Sequence, residues 1–295
     1  MPSPQSLPGG VWRMVAAMVL SGTIGWFVVT SGQPPLDVVF FRCIFGDAAL
    51  LGTLTLQRGW VRMSRAQLCW LALGGVTLVL NWLALFSAYA YSGIAIATVV
   101  YHTQPFFLLL LTSAMQREPL PFARLPWLVL AFAGVMLITG LEHGATGAAM
   151  LAGIGLALLA ALLYAVTTMA TRRLQAIPPG QIAGLQMVLG VVMLAPLAHP
   201  AAGSYHSGTW AALLALGLVH TGVMYTLLYG AFQRLSVVSI ATLSFVYPLV
   251  AIVIDVMVFG VVLGPLQVAG MLLVLLGVVA NQLGWSLPWR RRAQG

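Results

Sequence analysis

The sequence predicts an all-α polytopic membrane protein: ten transmembrane helices arranged as two inverted five-helix repeats, with both termini in the cytoplasm. Three observations carry this expectation: the apolarity of the chain, the placement of its arginines and an internal self-similarity. Of 295 residues, 61% are hydrophobic and 6% charged, and the mean hydropathy is +1.00. A soluble domain carries roughly 25% charged residues, so a water-soluble globule is excluded. The formal net charge of +8 does not indicate nucleic acid, because the cations are too few and too scattered to track a phosphate backbone.

A hydrocarbon core about 30 Å thick requires around 20 apolar residues of helix. Ten such stretches run approximately over residues 11–31, 37–56, 67–89, 93–115, 122–141, 148–171, 181–198, 209–232, 236–259 and 263–287. Turn chemistry separates them: Gln33-Pro34-Pro35, Arg58-Gly59, Ser92-Gly93, Glu118-Pro119-Leu120-Pro121, His143-Gly144, Ile177-Pro178-Pro179-Gly180, His199-Pro200 and Gly264-Pro265. The first run follows Arg13 and is about 18 residues long without an A-x-A cleavage site, so it reads as a retained helix, not a signal peptide. Cys43 and Cys69 lack CxxC or His-spaced partners, which argues against a disulfide framework or a metal site.

All 13 cationic side chains are arginines. Arg13 precedes the first stretch; Arg58, Arg62 and Arg65 follow the second; Arg117 and Arg124 the fourth; Arg172 and Arg173 the sixth; Arg234 the eighth; and Arg290, Arg291 and Arg292 the tenth. Every arginine except Arg42 therefore falls on one side, and positive residues concentrate in cytoplasmic loops.

Leu71-Ala72-Leu73-Gly74 recurs as Leu214-Ala215-Leu216-Gly217, Ile96-Ala97-Thr98 as Ile240-Ala241-Thr242, and Pro105 as Pro248. The repeats divide the chain into residues 1–145 and 146–295. Five crossings per copy make the second enter the membrane from the opposite side, and in transporters this arrangement places the substrate site at the midplane between the halves.

The inverted pattern, Phe41-Arg42 in the second stretch, Glu118-Pro119-Leu120 before a Gly-rich helix, and Ala160-Ala161-Leu162-Leu163-Tyr164 leading to Arg172-Arg173-Leu174 resemble the drug/metabolite transporter superfamily, EamA type. Within it the likeness is to the YddG-like aromatic amino acid exporters. The resemblance implies export of aromatic and other bulky apolar amino acids. The second copy has Val261-Val262-Leu263-Gly264 where such proteins often repeat the acid of the first, so no role is carried over for Glu118.

Tyr101, His102 and Gln104 fall about halfway along the fourth stretch, and Phe245 and Tyr247 at the same depth of the ninth, each set just before Pro105 or Pro248. Proline removes a helical hydrogen bond and repels the carbonyl four residues earlier, so the carbonyls of Tyr101 and Ser244 are expected to be free. Pro-interrupted helices at corresponding positions mark transporter sites, which makes both prolines candidate hinges; the alternative is that they only curve their helices around the bundle. Trp26, Asn81, Trp82, Tyr164, His220 and Tyr225 supply further amphipathic groups and complete the candidate binding set, with packing as the alternative role of each. His102 and His220 have helix packing, cavity lining or proton relay open to them.

Among the acids only Asp47 is expected deep in the membrane. Arg42 and Asp47 are five apart, about 140° around a helix, so they do not pair directly. Arg42 is read as a structural arginine meeting helix-end carbonyls or the outer interface, with recognition of a substrate carboxylate as the alternative. No metal-ligand spacing, phosphate-binding loop or nucleophile–base set occurs, so neither a cofactor nor catalysis is expected.

The expected protein is a secondary transporter in a bacterial cytoplasmic membrane. Its partners would be a small-molecule substrate and the bilayer, with a monomer sufficing. The mode would be alternating access, as uniport, the alternative being proton-coupled drug or metabolite antiport. If the orientation is right, alkaline phosphatase fused after Gly144 will be active in cells, and the same enzyme fused after Gly295 will be inactive. The reverse pattern would refute the cytoplasmic placement of the termini.

Overall fold

A computed structural model describes residues 8–117, 122–123, 125–138, 147–198, 205–259, 264–283 and 285. Every regular element among them is helical: α1 (Pro8–Gly22), α2 (Ile24–Ser31), α3 (Pro35–Leu56), α4 (Arg65–Tyr101), α5 (Gln104–Gln116), α6 (Leu125–Ile138), α7 (Ala148–Arg172), α8 (Pro179–Leu194), α9 (Ser207–Gly217), a π-turn (Leu218–Val223), α10 (Met224–Phe232), α11 (Val237–Leu243), α12 (Val246–Phe259) and α13 (Pro265–Gln282). Five described stretches are long and apolar enough to cross a membrane: Gly9–Ser31, Pro35–Leu56, Arg65–Ser92, Ala148–Arg172 and Ser207–Phe232. The remaining apolar helices are shorter. The breaks expected at Glu118–Pro121, His143-Gly144 and His199-Pro200, and the acids Glu118 and Glu142, lie outside the described residues.

Local chemistry accounts for several boundaries. α3 and α8 each begin with a Pro-Pro pair, Pro34-Pro35 and Pro178-Pro179, whose second proline occupies the first helical turn, where a missing N–H costs nothing. Ser236 caps α11 by accepting from the Ser239 N–H, and His206 caps α9 by accepting from the Thr209 N–H. α5 ends on Arg117 in a left-handed conformation, φ 53°.

One expected break takes an unexpected form. Helical hydrogen bonding continues through Ser92-Gly93, yet the Asn81 amide lies 3.4 Å from the Tyr101 hydroxyl. Twenty residues of straight helix would separate them by about 30 Å. α4 therefore folds back on itself, and Ala88 and Ala97 meet in one apolar cluster with Ala157 of α7. Gly153 of α7 makes room for the reversal, since a Cβ there would sit 2.6 Å from the Ser92 Cβ. The third stretch and the first part of the fourth are thus the two arms of a single bent helix, and α5 completes the fourth.

Small residues set the closest approaches, as expected where helices pack in lipid. α6 lies along α13; a Cβ on Gly134 would come within 2.6 Å of the Gly270 carbonyl, and one on Gly277 within 2.6 Å of the Trp127 carbonyl. The helix ends on the arginine-rich side are tied by side chains that satisfy terminal carbonyls. Arg172 donates to the carbonyls of Phe232 and Leu235, and Gln233 to those of Leu174 and Ile177. At the other side Thr209 donates to the Ser31 carbonyl and Tyr205 to Asp37 at 3.2 Å. Burial, helped by the adjacent Asp37 carboxylate, pushes the Tyr205 hydroxyl up to about 12, so it remains a donor throughout the physiological range.

Gly134→Val will destabilise the protein by about 1–3 kcal/mol, as overpacking does, whereas Gly155→Ala, whose Cβ would meet nothing within 4 Å, will be neutral. Thermal unfolding of the purified variants in detergent checks both.

Candidate functional site

Between the helices lies a space of about 760 Å³, open solvent at its mouth included. Each wall is one face of one helix. α1 presents Met14, Met18 and Ser21; the first arm of α4 presents Trp82, Leu85, Phe86 and Tyr89; α10 presents Met224, Tyr225 and Phe232. These spacings of three, four and seven are those of a single helical face.

Both proline positions coincide with helix interruptions. α4 stops at Tyr101 and α5 starts at Gln104; α11 stops at Leu243 and α12 starts at Val246. His102 in the first gap, with Tyr101 and Gln104 beside it, lines the cavity, as do Ser244 in the second gap and Tyr247 after it. The Ser244 carbonyl corrects one expectation. It accepts from the Tyr247 N–H at 3.2 Å, because the chain closes a tighter three-residue turn where proline forbids the four-residue bond. It is not free. The His102 Nδ1 approaches the Thr98 carbonyl at 2.5 Å. A carbonyl only accepts, so Nδ1 bears the proton and Nε2 is left as an acceptor.

Of the eleven candidate binding residues, Trp82, Tyr101, His102, Gln104, Tyr164, Tyr225 and Tyr247 line the cavity together. The other four are elsewhere. Asn81 sits behind the wall, donating to the Ala160 carbonyl at 2.7 Å and reaching the Tyr101 hydroxyl. Phe245 is fully buried, its ring 6.1 Å from that of His102. His220 is buried against Thr23 and the Ala215 carbonyl. Trp26 is 37% exposed, and its ring lies tilted against that of Phe27. Asp47 does not line the cavity.

Arg42, read from the sequence as structural with substrate-carboxylate recognition as the alternative, is in the cavity wall and only 1% exposed. Its Nε donates to the Thr221 hydroxyl at 2.9 Å and its Nη2 to the His220 carbonyl at 3.0 Å. The guanidinium carbon lies 4.1 Å from the Trp82 ring centroid and 5.9 Å from that of Tyr225, both within cation–π range. Its Nη1 has no hydrogen-bond partner, and no carboxylate lines the cavity among the described residues. The π-turn creates this seat. Its wider winding shifts hydrogen bonds from four residues to five, seen also in Thr221 donating to the Leu216 carbonyl, and leaves the His220 carbonyl facing α3. Gly46 and Gly217 allow the approach, since a Cβ on either would collide with Thr221 or Phe45 respectively. Tyr89 was legible as a helix-face partner of Trp82, seven residues earlier, whereas no signal in the sequence singled out Met14, Met18 and Ser21.

Comparison with known proteins gives a consistent result. The EamA-like transporter family matches twice, over residues 8–140 and 151–281. The uncharacterized transporter YxxF of Bacillus subtilis (strain 168) is 33% identical over 274 residues, which cover 91% of this chain and 88% of that protein. A solved crystal structure of a protein 20% identical superposes with a TM-score of 0.80, covering 93% of this chain and 96% of that one, a likeness of fold alone.

Thr221→Val will leave the Arg42 Nε buried without its acceptor and cost about 1–3 kcal/mol. Thr53→Val, which removes only an exposed hydroxyl bonded to the Ala49 carbonyl, will be near neutral by the same unfolding measurement.

Proposed function

The chain belongs to the EamA-like transporter family, and from that premise we propose that it exports small, largely neutral metabolites, most of all aromatic and other bulky apolar amino acids, by alternating access. Members of this family are transporters and not enzymes, so the coarser statement, a multi-pass membrane transporter of a small molecule, needs no proposal. The observation that carries the finer reading is the wall of the cavity: Trp82, Tyr89, Tyr101, Tyr164, Tyr225 and Tyr247 around His102 and Gln104, with no acid among the described lining residues. A lipophilic cation would call for a carboxylate there; a zwitterion with an apolar side chain finds amide, imidazole and hydroxyl groups beside aromatic faces.

Two inverted copies underlie the proposed motion. The doubled family match supports them, and so does the packing. α3 packs on α8 and α6 on α13, each pair joining equivalent helices of the two copies, and α5 packs on α11, a neighbouring segment of the equivalent stretch. Contacts of α4 with α8 are mirrored by those of α9 and the π-turn with α3. Gly46 abuts Thr221, and Gly190, 144 residues on, abuts Val79 of α4. In this reading the twin interruptions before Pro105 and Pro248 are the hinges, the termini are cytoplasmic, the membrane is a bacterial inner membrane and a monomer suffices.

One observation favours the second reading, proton-coupled antiport. The Thr23 hydroxyl, with a single proton, lies 2.8 Å from the Leu20 carbonyl and 2.6 Å from the His220 Nε2, while the His220 Nδ1 lies 3.0 Å from the Ala215 carbonyl. All three contacts are hydrogen bonds at once only when both ring nitrogens carry protons. This histidine joins the break between α1 and α2 to the π-turn, so its protonation state bears on two irregular segments.

Uptake of labelled tryptophan, phenylalanine and leucine into proteoliposomes holding the full chain separates the readings. We expect saturable, mutually competing uptake that ignores an imposed pH gradient, survives Asp47→Asn and falls when Pro105 and Pro248 are both replaced by alanine. Flux only with a proton gradient, lost in His220→Asn, would establish antiport instead. Flux of none of the three amino acids would overturn the substrate assignment.

A further inference from the structure

We propose that Arg42 is the anchor for a substrate carboxylate, so that the transported class is defined by a carboxylate on an aromatic or bulky apolar body and the α-ammonium of an amino acid is dispensable. The inference rests on the reading of this cavity as the substrate chamber, and it narrows what that chamber selects.

The argument starts from cost. A guanidinium at this depth in an apolar bundle is held away from water and, among the described residues, the cavity it lines offers no counter-charge. Buried cations in membranes normally pair with an acid or a ring of acceptors. Arg42 has part of that environment: one hydroxyl, one carbonyl, and the π-faces of Trp82 and Tyr225. Those contacts fix the plane of the guanidinium and commit Nε and Nη2. Nη1 remains a buried donor without an acceptor, a condition rare enough to call for a cause. A carboxylate supplies both the missing acceptor at Nη1 and the missing negative charge, in a charge-assisted bond stronger than one to a neutral acceptor.

The rest of the wall agrees. A purely structural arginine needs neither an open chamber beside it nor a free nitrogen. Here the rings that clamp the guanidinium, Trp82 and Tyr225, also face the cavity, so an anion bound at Nη1 would carry its apolar body along Phe86, Tyr101 and Tyr164. No described lining residue carries the negative charge that a substrate ammonium would pair with.

The test uses the purified full chain in detergent, with binding followed by calorimetry and thermal shift. The probes are 3-phenylpropionate, its neutral isostere 3-phenylpropanamide, and phenethylamine, alongside phenylalanine uptake in proteoliposomes. We expect 3-phenylpropionate to bind saturably, between about tenfold and a hundredfold tighter than either companion, the span expected of a hydrogen bond to a charged group. Arg42→Gln should erase that preference, and Arg42→Lys, which keeps the charge and loses the fork, should retain part of it. Absence of 3-phenylpropionate binding, equal affinity for the propanamide, or a preference that survives in a folded Arg42→Gln protein would each overturn the proposal. The wild-type comparison alone can do so even if Arg42→Gln does not fold. Arg42-dependent binding of 3-phenylpropionate without phenylalanine flux would uphold the anchor and sink the amino acid reading. Phenylalanine flux indifferent to Arg42 would do the opposite.

Discussion

Holding a guanidinium inside an apolar bundle is the constraint on which the rest of this structure depends. Arg42 is only 1% exposed, so its N–H groups turn to protein acceptors and π-faces, and a carbonyl released from its own helix is the better acceptor. The π-turn at Leu218–Val223 resolves this by shifting its bonds, which turns the His220 carbonyl and the Thr221 hydroxyl toward α3. That turn lies close enough only because Gly46 and Gly217 lack side chains where α3 meets it. Trp82 then closes over the guanidinium, and in doing so it brings the α4 face bearing Phe86 and Tyr89 to the cavity. The irregular backbone, the close glycine contacts and the aromatic wall are consequences of one buried charge.

The chain-level architecture was legible in the sequence because hydropathy and turn residues act locally. The described helices fall on the ten apolar stretches, and Pro105 and Pro248 do follow interruptions, since a missing N–H has the same effect wherever it occurs. Legibility ended where the answer depended on direction around a helix. Counting residues gives depth but not azimuth. Trp26 follows Ser21 by five positions, about 140° round the helix, and so turns away from the face that Met14, Met18 and Ser21 present. His220 lies at the right depth but in the π-turn, where its ring meets Thr23. Nothing in Leu218–Val223 announces a π-turn, because no residue type enforces one. For the same reason Arg42 could be read as an arginine near helix carbonyls, which it is, or as a carboxylate partner, with nothing in the sequence to place it beside a cavity.

The reversal within α4 teaches a related point. Ser92-Gly93 signalled a break in the chain's direction correctly, yet no break in helical hydrogen bonding accompanies it. Two arms that belong to different crossings are continuous in backbone bonding, and Asn81 is thereby brought to Tyr101. A turn made this way leaves few unsatisfied backbone groups, which matters more near a bilayer than in water.

The two-copy alignment also locates where symmetry gives way to specificity. At the offset of 144 that relates Pro35 to Pro179 and Gly46 to Gly190, Arg42 corresponds to Gln186. Gln186 occupies the equivalent position against α4, where a Cβ on Gly75 would press on its side chain, and it accepts from the Tyr229 hydroxyl at 2.5 Å. It is buried and polar, as Arg42 is, but it carries no charge and does not line the cavity. The helix that faces Arg42 contains the π-turn, whereas the arm of α4 that faces Gln186 is regular. Replacing a neutral amide by a cation at one of two matched positions therefore changes the partner helix as well as the side chain. Features shared by the two matched segments, the paired prolines and the glycine contacts, belong to the scaffold, and in the proposed reading the prolines are its hinges. The charged fork of Arg42 meets an uncharged Gln186 at the matched position, and in that reading it gives the chamber a distinct side on which a substrate is oriented.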